Sequence, residues 1–419
     1  MTVNSQYEAL TPESLPLRLG DLGALVQQIG GPASHWSVRE VGDGNLNLVF
    51  IVEGPAGRAV VKQALPYVRL VGDSWPLPTY RAFFEYHALV RQAARAPGIV
   101  PEVYHFDEAQ AMIVMEFLTP HRILRHMLIE GKKVAGLGQI MGRFCAQTAF
   151  RGSELAMLSA AKKADVALFA GNVAIPAITE ALVFTDPYFA AAMNRHTPGL
   201  DPVVAILRGD VAMKSRVQQM LMRFASNTET MLHGDLHSGS IMATSEDVRV
   251  IDPEFVQYGP MGFDLGMLVA NFLMSYFSQP AHRGGDETEM QHWILSVIED
   301  CFAAFEAEFA RLWDSERSGM LFPRCLFEDQ GQSSHPARDA LLATIRADAF
   351  AVCGIEMHRR CLSLAHNADL EVIEDLGLRA CLEARNLLMG RELILQSERL
   401  ADSAALCAMA RDFNERTIL

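Results

Sequence analysis

The hydrophobic pattern of this chain changes period at Thr119-Pro120, and that change constrains the fold more than any other feature. Upstream, residues 37–41, 48–53, 59–63, 102–106 and 112–116 are short runs rich in β-branched and apolar residues, and they read as strands. Between them, residues 77–94 carry helical spacing. Downstream, long segments rich in Ala, Leu, Met, Glu and Arg keep a helical period, broken at Asp186-Pro187 and Thr197-Pro198-Gly199. One strand-like patch, 248–252, interrupts them. The pattern predicts an α+β chain of two lobes. Residues 1–118 form a β-rich lobe with a helical N-terminal extension, and residues 119–419 form a helical lobe. A chain of 419 residues is long enough to give each its own core.

Charge narrows the partners. The formal net charge is -14, and a surface that acidic repels phosphate backbones, so neither nucleic acid nor an anionic membrane is expected as a partner. Seven cysteines are scattered without CxxC spacing, which reads as reduced thiols and argues against a zinc site. The N-terminus shows no basic region followed by an apolar one, and the most apolar stretch, 265–277, is too short to span a bilayer. A cytoplasmic protein is expected.

The chemistry concentrates in two short motifs. In His233-Gly234-Asp235-Leu236-His237, a carboxylate sits in a loop expected to follow a helix. Phosphoryl transfer to an alcohol needs such a group, to accept a hydrogen bond from the attacking hydroxyl and align it. Seventeen residues on, Ile251-Asp252-Pro253-Glu254 places two carboxylates at alternate positions at the end of the 248–251 strand, a suitable pair for Mg²⁺ bridging phosphates. Taken singly, Asp235 could cap a helix and Asp252 could start a turn. Together, downstream of a β-rich lobe, they point to ATP-dependent phosphoryl transfer. On the nucleotide side, Lys62 lies in a strand where it can reach the phosphates, and Glu85 in the following helix is its candidate ion-pair partner. The turn from Gly42 to Asn47 suits a phosphate-covering hairpin, although it lacks the third glycine of GxGxxG. Glu116, Phe117 and Leu118 fall at the lobe junction, where backbone groups can meet an adenine edge. His233 and His237 are read as structural, and Asp264 as an anchor for the catalytic loop or a helix cap.

The residues carrying these motifs resemble a known family. HGDLH is shared by aminoglycoside phosphotransferases, choline kinases and their relatives, most of which continue to an asparagine where this chain has Ser240. EVGDGNLNLVF, VKQALPYVR, VGDSWPL, HGDLHSGSI and IDPEFVQYGPMGFD together are similar to the methylthioribose kinase family, over about residues 40–366. The resemblance implies a protein-kinase-like fold, ATP and Mg²⁺ as cofactors, a small-molecule sugar as acceptor, phosphorylation of its anomeric hydroxyl within methionine salvage, and a homodimer. It implies ATP contacts at Asn47, Lys62, Glu116, Phe117, Leu118, Asp252, Pro253 and Glu254, with metal at Asp252 and Glu254. It implies catalysis and substrate contact at Asp235. The block Arg359-Arg360…His366-Asn-Ala-Asp369 matches the family's arginine pair, whose first member points to Arg359 as a sugar ligand. Successive residues on a helix diverge by about 100°, so Arg359 or Arg360 faces the cleft and the other packs or pairs elsewhere. A helix-surface pair is the plainer alternative. The loop 73–75 is a candidate lining for the methylthio group, or Trp75 is ordinary core.

Departures from the family at Phe117, at 78–85 and at His358 leave the reaction class intact and bear on the acceptor. A related kinase of the same fold acting on another sugar or an amino alcohol is the alternative. A nucleotide-binding module without activity is disfavoured by the presence of Lys62, Asp235 and Asp252.

Overall fold

The computed structural model describes residues 7–42, 46–68 and 72–418. Positions 43–45 of the glycine-containing turn lie outside the described residues. The chain divides into two compact units, Met1–Pro120 with Arg249–Val256, and His121–Val248 with Gln257–Leu419.

The first unit contains α1 (Ser14–Leu19), α2 (Gly23–Ile29), β1 (Ser37–Glu40), β2 (Asn47–Glu53), β3 (Arg58–Ala64), β4 (Tyr67–Val68), β5 (Gly72–Pro76), α3 (Arg81–Arg95), β6 (Val103–Asp107) and β7 (Met112–Glu116). Five of the strands form one antiparallel sheet in the order β1-β2-β3-β7-β6, with β3 at its centre. The helix expected from residue 77 begins only at Arg81, because Pro76 and Pro78 bias the residues before them towards extended backbone. Alternation does the sorting. Phe50, Val52, Ala59, Val61, Met112 and Val114 share one face and bury against Leu15, Leu19, Leu25 and Ile29 of α1 and α2. Enclosing a side chain such as Phe50 stabilises by about 1.5–3 kcal/mol. Lys62, next to Val61, therefore projects from the opposite face. Gln63 is fully buried and fastens the N-terminal segment to β3, accepting from Leu10 N–H at 2.8 Å and donating to the carbonyls of Glu8 and Gln110 at 2.9 and 3.0 Å.

The second unit contains β8 (Arg122–Ile123), α4 (Leu124–Ile129), α5 (Leu137–Arg151), α6 (Ser159–Phe169), α7 (Ala174–Leu182), α8 (Asp201–Gly209), α9 (Val211–Ser226), β9 (Thr230–Met231) and β10 (Ile241–Ala243). After β11 (Val248–Val250), at the boundary of the units, come β12 (Tyr258–Gly259), α10 (Phe263–Arg283), α11 (Thr288–Ser315), α12 (His335–Leu362), α13 (Ala368–Glu371), α14 (Leu376–Gln396) and α15 (Ser403–Glu415). The apolar stretch 265–277 lies inside α10, which is buried on all sides along most of its length, as expected of a core helix. Among the described residues no single helix is long and apolar enough to cross a membrane.

Two glycines fix where α12 runs. A Cβ on Gly266 of α10 would lie 2.5 Å from the Ala349 carbonyl, and one on Gly354 of α12 would lie 2.3 Å from that of Gly390 in α14. Only hydrogen at these positions lets α12 press against both neighbours. The last two turns of α12 carry Glu356, Arg359 and Arg360, so this packing sets the arginine pair.

Candidate active site

Lys62 sits at the centre of an acidic cluster in the first unit. Its Nζ donates to Glu85 Oε1 of α3 at 2.8 Å, to Asp252 Oδ1 and to Glu254 Oε1 at 3.2 Å. The strand expected over 248–252 stops at Val250, and Asp252 turns out of it with φ 70°. A positive φ is uncommon for a non-glycine residue, though aspartate tolerates it better than most. It turns the chain so that the Asp252 and Glu254 carboxylates both reach Lys62. Carboxylate oxygens of Glu85, Asp252 and Glu254 lie within 4.8 Å of one another. Burial pushes Glu85 up to about 8 and raises Glu254 above its ordinary value, against the pull of Lys62. Burial alone would lower Lys62, but the three carboxylates outweigh it and hold the ammonium charged. The carboxylate oxygens of this cluster are hard donors of the kind that fit Mg²⁺.

Two further residues complete the cluster. Asn47, at the start of β2, donates through Nδ2 to Glu254 Oε1 at 2.8 Å. Arg81, which motif reading does not single out, is 1 % exposed and reaches Asn47 Oδ1 at 3.3 Å and the Leu65 carbonyl at 2.7 Å. Its Nε lies 3.4 Å from Glu254 Oε2. Its side-chain partners Asn47 and Glu254 are distant in sequence, so no local spacing signals the role.

At the end of β7, Glu116 is already committed. Its N–H donates to the Glu102 carbonyl at 2.8 Å and its carboxylate lies 3.4 Å from Arg249 Nη1. The Phe117 ring lies under the Arg58 guanidinium, 5.5 Å from ring centre to Cζ. Leu118 is buried, and its N–H donates to no acceptor among the described residues. Pro253 is buried and its carbonyl accepts from Val256 N–H at 3.3 Å. Trp75 is half-buried, and the 73–74 side chains lie outside what is described.

In the second unit the catalytic-loop motif follows the two-residue strand β9 rather than a helix directly. Gly234 has φ 88°, which suits glycine, and the loop is tied down by Asp264 of α10. The Asp264 carboxylate accepts from His233 N–H at 2.7 Å and Gly234 N–H at 3.0 Å, so it anchors the loop. Ser240 Oγ donates to the Asp235 carbonyl at 3.1 Å, closing the loop on itself.

Asp235 is held at both oxygens. Arg360 Nη2 donates to Oδ1 at 3.0 Å, and His237 Nε2 lies 3.3 Å from Oδ2. Burial would raise this carboxyl, but His237, Arg360 and Arg359 together hold it well below the usual carboxylate range. His237 itself is lowered to about 4 by burial, which with the neighbouring arginines overcomes the pull of Asp235 towards the charged form. It is neutral at pH 7, so the charge that keeps Asp235 ionised there is supplied by the arginines.

The arginine pair divides its work. Both members are buried, at 6 % and 5 % exposure, which excludes a helix-surface pair. Arg360 is fully engaged by Asp235, by Glu356 Oε1 and by the Ala365 carbonyl. Arg359 Nη1 is 3.7 Å from Glu356 Oε1, and neither its Nε nor its Nη1 has a hydrogen-bond acceptor among the described residues. An uncommitted buried guanidinium is costly unless something arrives to pair with it.

A model of the phosphotransferase enzyme family matches residues 37–294, more than half of the chain. A methylthioribose kinase of Escherichia coli O45:K1 is 40% identical over 414 residues, 98% of this chain and 99% of that protein. Methylthioribose kinase 1 of Oryza sativa subsp. japonica is 38% identical over 91% of this chain and 90% of its own length. A methylthioribose kinase of Yersinia pseudotuberculosis is 37% identical over 92% of each. The chain belongs to the methylthioribose kinase family. Its fold is accordingly the α+β, two-lobed, protein-kinase-like one, and it is a phosphotransferase.

Within this methylthioribose kinase fold, the structure gathers Asn47, Lys62, Asp252 and Glu254 into one cluster, and Asp235, Arg359 and Arg360 into another. Motif reading passed over Arg81, Glu356 and Arg125. Glu356-x-x-x-Arg360 has the one-turn spacing of a helical ion pair, but nothing in sequence marks it as buried.

Proposed function

We propose that this chain transfers the γ-phosphoryl group of ATP to the anomeric 1-hydroxyl of S-methyl-5-thioribose, giving S-methyl-5-thioribose 1-phosphate and ADP. The observation that carries the acceptor is the match to methylthioribose kinases along nearly the whole chain. The acceptor oxygen forms the new bond to phosphorus, the bond to the β–γ bridging oxygen breaks, and the hydroxyl proton passes to Asp235. Supporting that role, Asp235 is ionised and fixed at both oxygens. A loose transition state asks for alignment more than for base strength.

Arg359 is the proposed sugar contact, supported by its uncommitted Nε and Nη1, while Arg360 orients Asp235. On the nucleotide side the reading assigns Lys62 to the phosphates, Asn47 and the 252–254 segment to the phosphate–metal region, and the backbone of Glu116, Phe117 and Leu118 to adenine. The unengaged Leu118 N–H suits the last of these. Asp252 and Glu254 would hold Mg²⁺, which when bound offsets charge on the phosphates. Residues 1–118 then act as the nucleotide-binding lobe and 119–419 as the acceptor-binding lobe. Seven free cysteines suit a cytoplasmic enzyme, and the family resemblance implies a homodimer.

The test is ADP release from ATP over a panel of free sugars and amino alcohols. S-methyl-5-thioribose should be turned over with kcat/KM well above every other acceptor. Turnover of a different acceptor with none of S-methyl-5-thioribose would overturn the substrate assignment.

A further inference from the structure

The two nearest partners of His237 Nδ1 are both donors, while Ser240 Oγ lies further off, 3.5 Å from each ring nitrogen. Arg125 Nη2 lies 3.2 Å from Nδ1, and the Gly239 N–H donates to the same atom at 2.9 Å. A guanidinium carries donors and no acceptor. Nδ1 must therefore offer its lone pair, and in the neutral ring the proton sits on Nε2, 3.3 Å from Asp235 Oδ2. Arg125 is itself held rigidly on α4. Its Nε donates to Ser238 Oγ at 3.1 Å, its Nη2 to Asn271 Oδ1 at 3.0 Å, and its backbone N–H to the Ser238 carbonyl at 3.0 Å. Asp369 lies behind it, 3.6 Å from Nε.

We propose that Arg125 is a positioning residue, which fixes His237 as the uncharged Nε2–H tautomer so that the ring donates to Oδ2 of Asp235. The proposal rests on the reading of Asp235 as the group that orients the acceptor hydroxyl. The opposite tautomer would set a lone pair against a carboxylate oxygen and turn the contact repulsive. An imidazolium would pair with Asp235 as a cation and weaken its grip on a hydroxyl proton. The charged groups that face His237 are Asp235 and Arg360 on one side and Arg125 on the other. Asp235 favours protonation of the ring, and burial together with the two arginines outweighs it. Arg125 thus acts through both geometry and charge.

A merely structural tie between α4 and the loop would give the same contacts, so the test must read the proton. Long-range ¹H–¹⁵N correlation of ¹⁵N-histidine-labelled wild-type protein, with His237 assigned by its loss in His237→Asn, reports tautomer and charge. The spectrum should show an unprotonated Nδ1 and a protonated Nε2, unchanged from about pH 8 to about pH 6. In Arg125→Met, His237 should lose its fixed Nε2–H tautomer and titrate at higher pH than in the wild type, kcat should fall on the order of 10²-fold, and the acid limb of kcat against pH should move up with it. An Nδ1–H tautomer or an imidazolium in the wild type at pH 7 overturns the proposal. So does an Arg125→Met enzyme whose pH profile and His237 signal match the wild type. The spectrum is read without substrate, so its failure is distinct from failure of the acceptor assay.

Discussion

Arg360 of α12 donates to Oδ1 of Asp235 at 3.0 Å, across 125 residues of sequence, while its neighbour Arg359 leaves Nε and Nη1 uncommitted. The two arginines therefore have separable effects. Arg359→Ala should raise KM for the sugar by at least about tenfold, roughly one lost charge-assisted hydrogen bond, with KM for ATP little changed. Arg360→Ala should act on kcat instead, and it should also cost stability, about 3–5 kcal/mol, by leaving buried Glu356 and Asp235 without their partner. Steady-state kinetics with urea unfolding separates the two. Equal effects of both variants on sugar KM would contradict the division.

Glu254 is a buried carboxylate of the Lys62 cluster, bonded to both Lys62 and Asn47. If it holds the metal, Glu254→Gln should raise the Mg²⁺ concentration for half-maximal rate by on the order of tenfold or more. The measurement is a magnesium titration at fixed total ATP. An unchanged midpoint would remove Glu254 from the ligand set.

Three largely buried histidines should each withdraw stability in a defined acid window. Burial lowers His237, His358 and His366 to about 4 each, from an ordinary value of 6.5. Between those values each of these histidines binds more proton in the unfolded chain than in the folded one, so its own contribution to stability is full above about 6.5 and is lost as pH drops towards 4. Each such histidine contributes up to about 1.4 kcal/mol per pH unit. His358 bonds the Leu387 carbonyl at 2.8 Å and sits 3.2 Å from the Tyr188 hydroxyl. His358→Gln should flatten the slope of unfolding free energy against pH by about one proton. An unaltered slope would show that His358 does not titrate as described.

The α10–α12–α14 packing makes a structural prediction. Gly354→Ala would put a methyl group 2.3 Å from a backbone carbonyl, which no side-chain rotation relieves. A loss of about 1–3 kcal/mol, the range for overpacking, should appear in thermal unfolding. Because α12 carries the arginine pair, kcat/KM should fall as well. A neutral effect on both would show that α14 yields easily.

Much of the fold was legible because period is a local property. The alternation of β2, β3 and β7 and the longer helical repeats beyond residue 120 follow from which side chains avoid water. The start of α3 and the end of β11 were misjudged by a few residues. Pro78 moved the first, and the left-handed turn at Asp252 ended the second.

Asp235, Asp252 and Lys62 stand out in the sequence by the chemistry of their motifs. Their partners do not. Arg81, Arg125 and Glu356 look like any charged residues on helices, and only burial of the first and last, and the partners Arg125 finds at His237, Ser238 and Asn271, give them meaning. The choice between Arg359 and Arg360 is of the same kind. A helical repeat says only that the two diverge, whereas the direction each takes depends on how α12 is rotated by contacts at Gly266, Gly354 and Gly390. The sequence by itself determined the period of each segment and the kinds of reactive group available. The tertiary structure decided which of those groups lose water and so must find one another, because desolvation makes an unpaired charge costly only where folding has buried it.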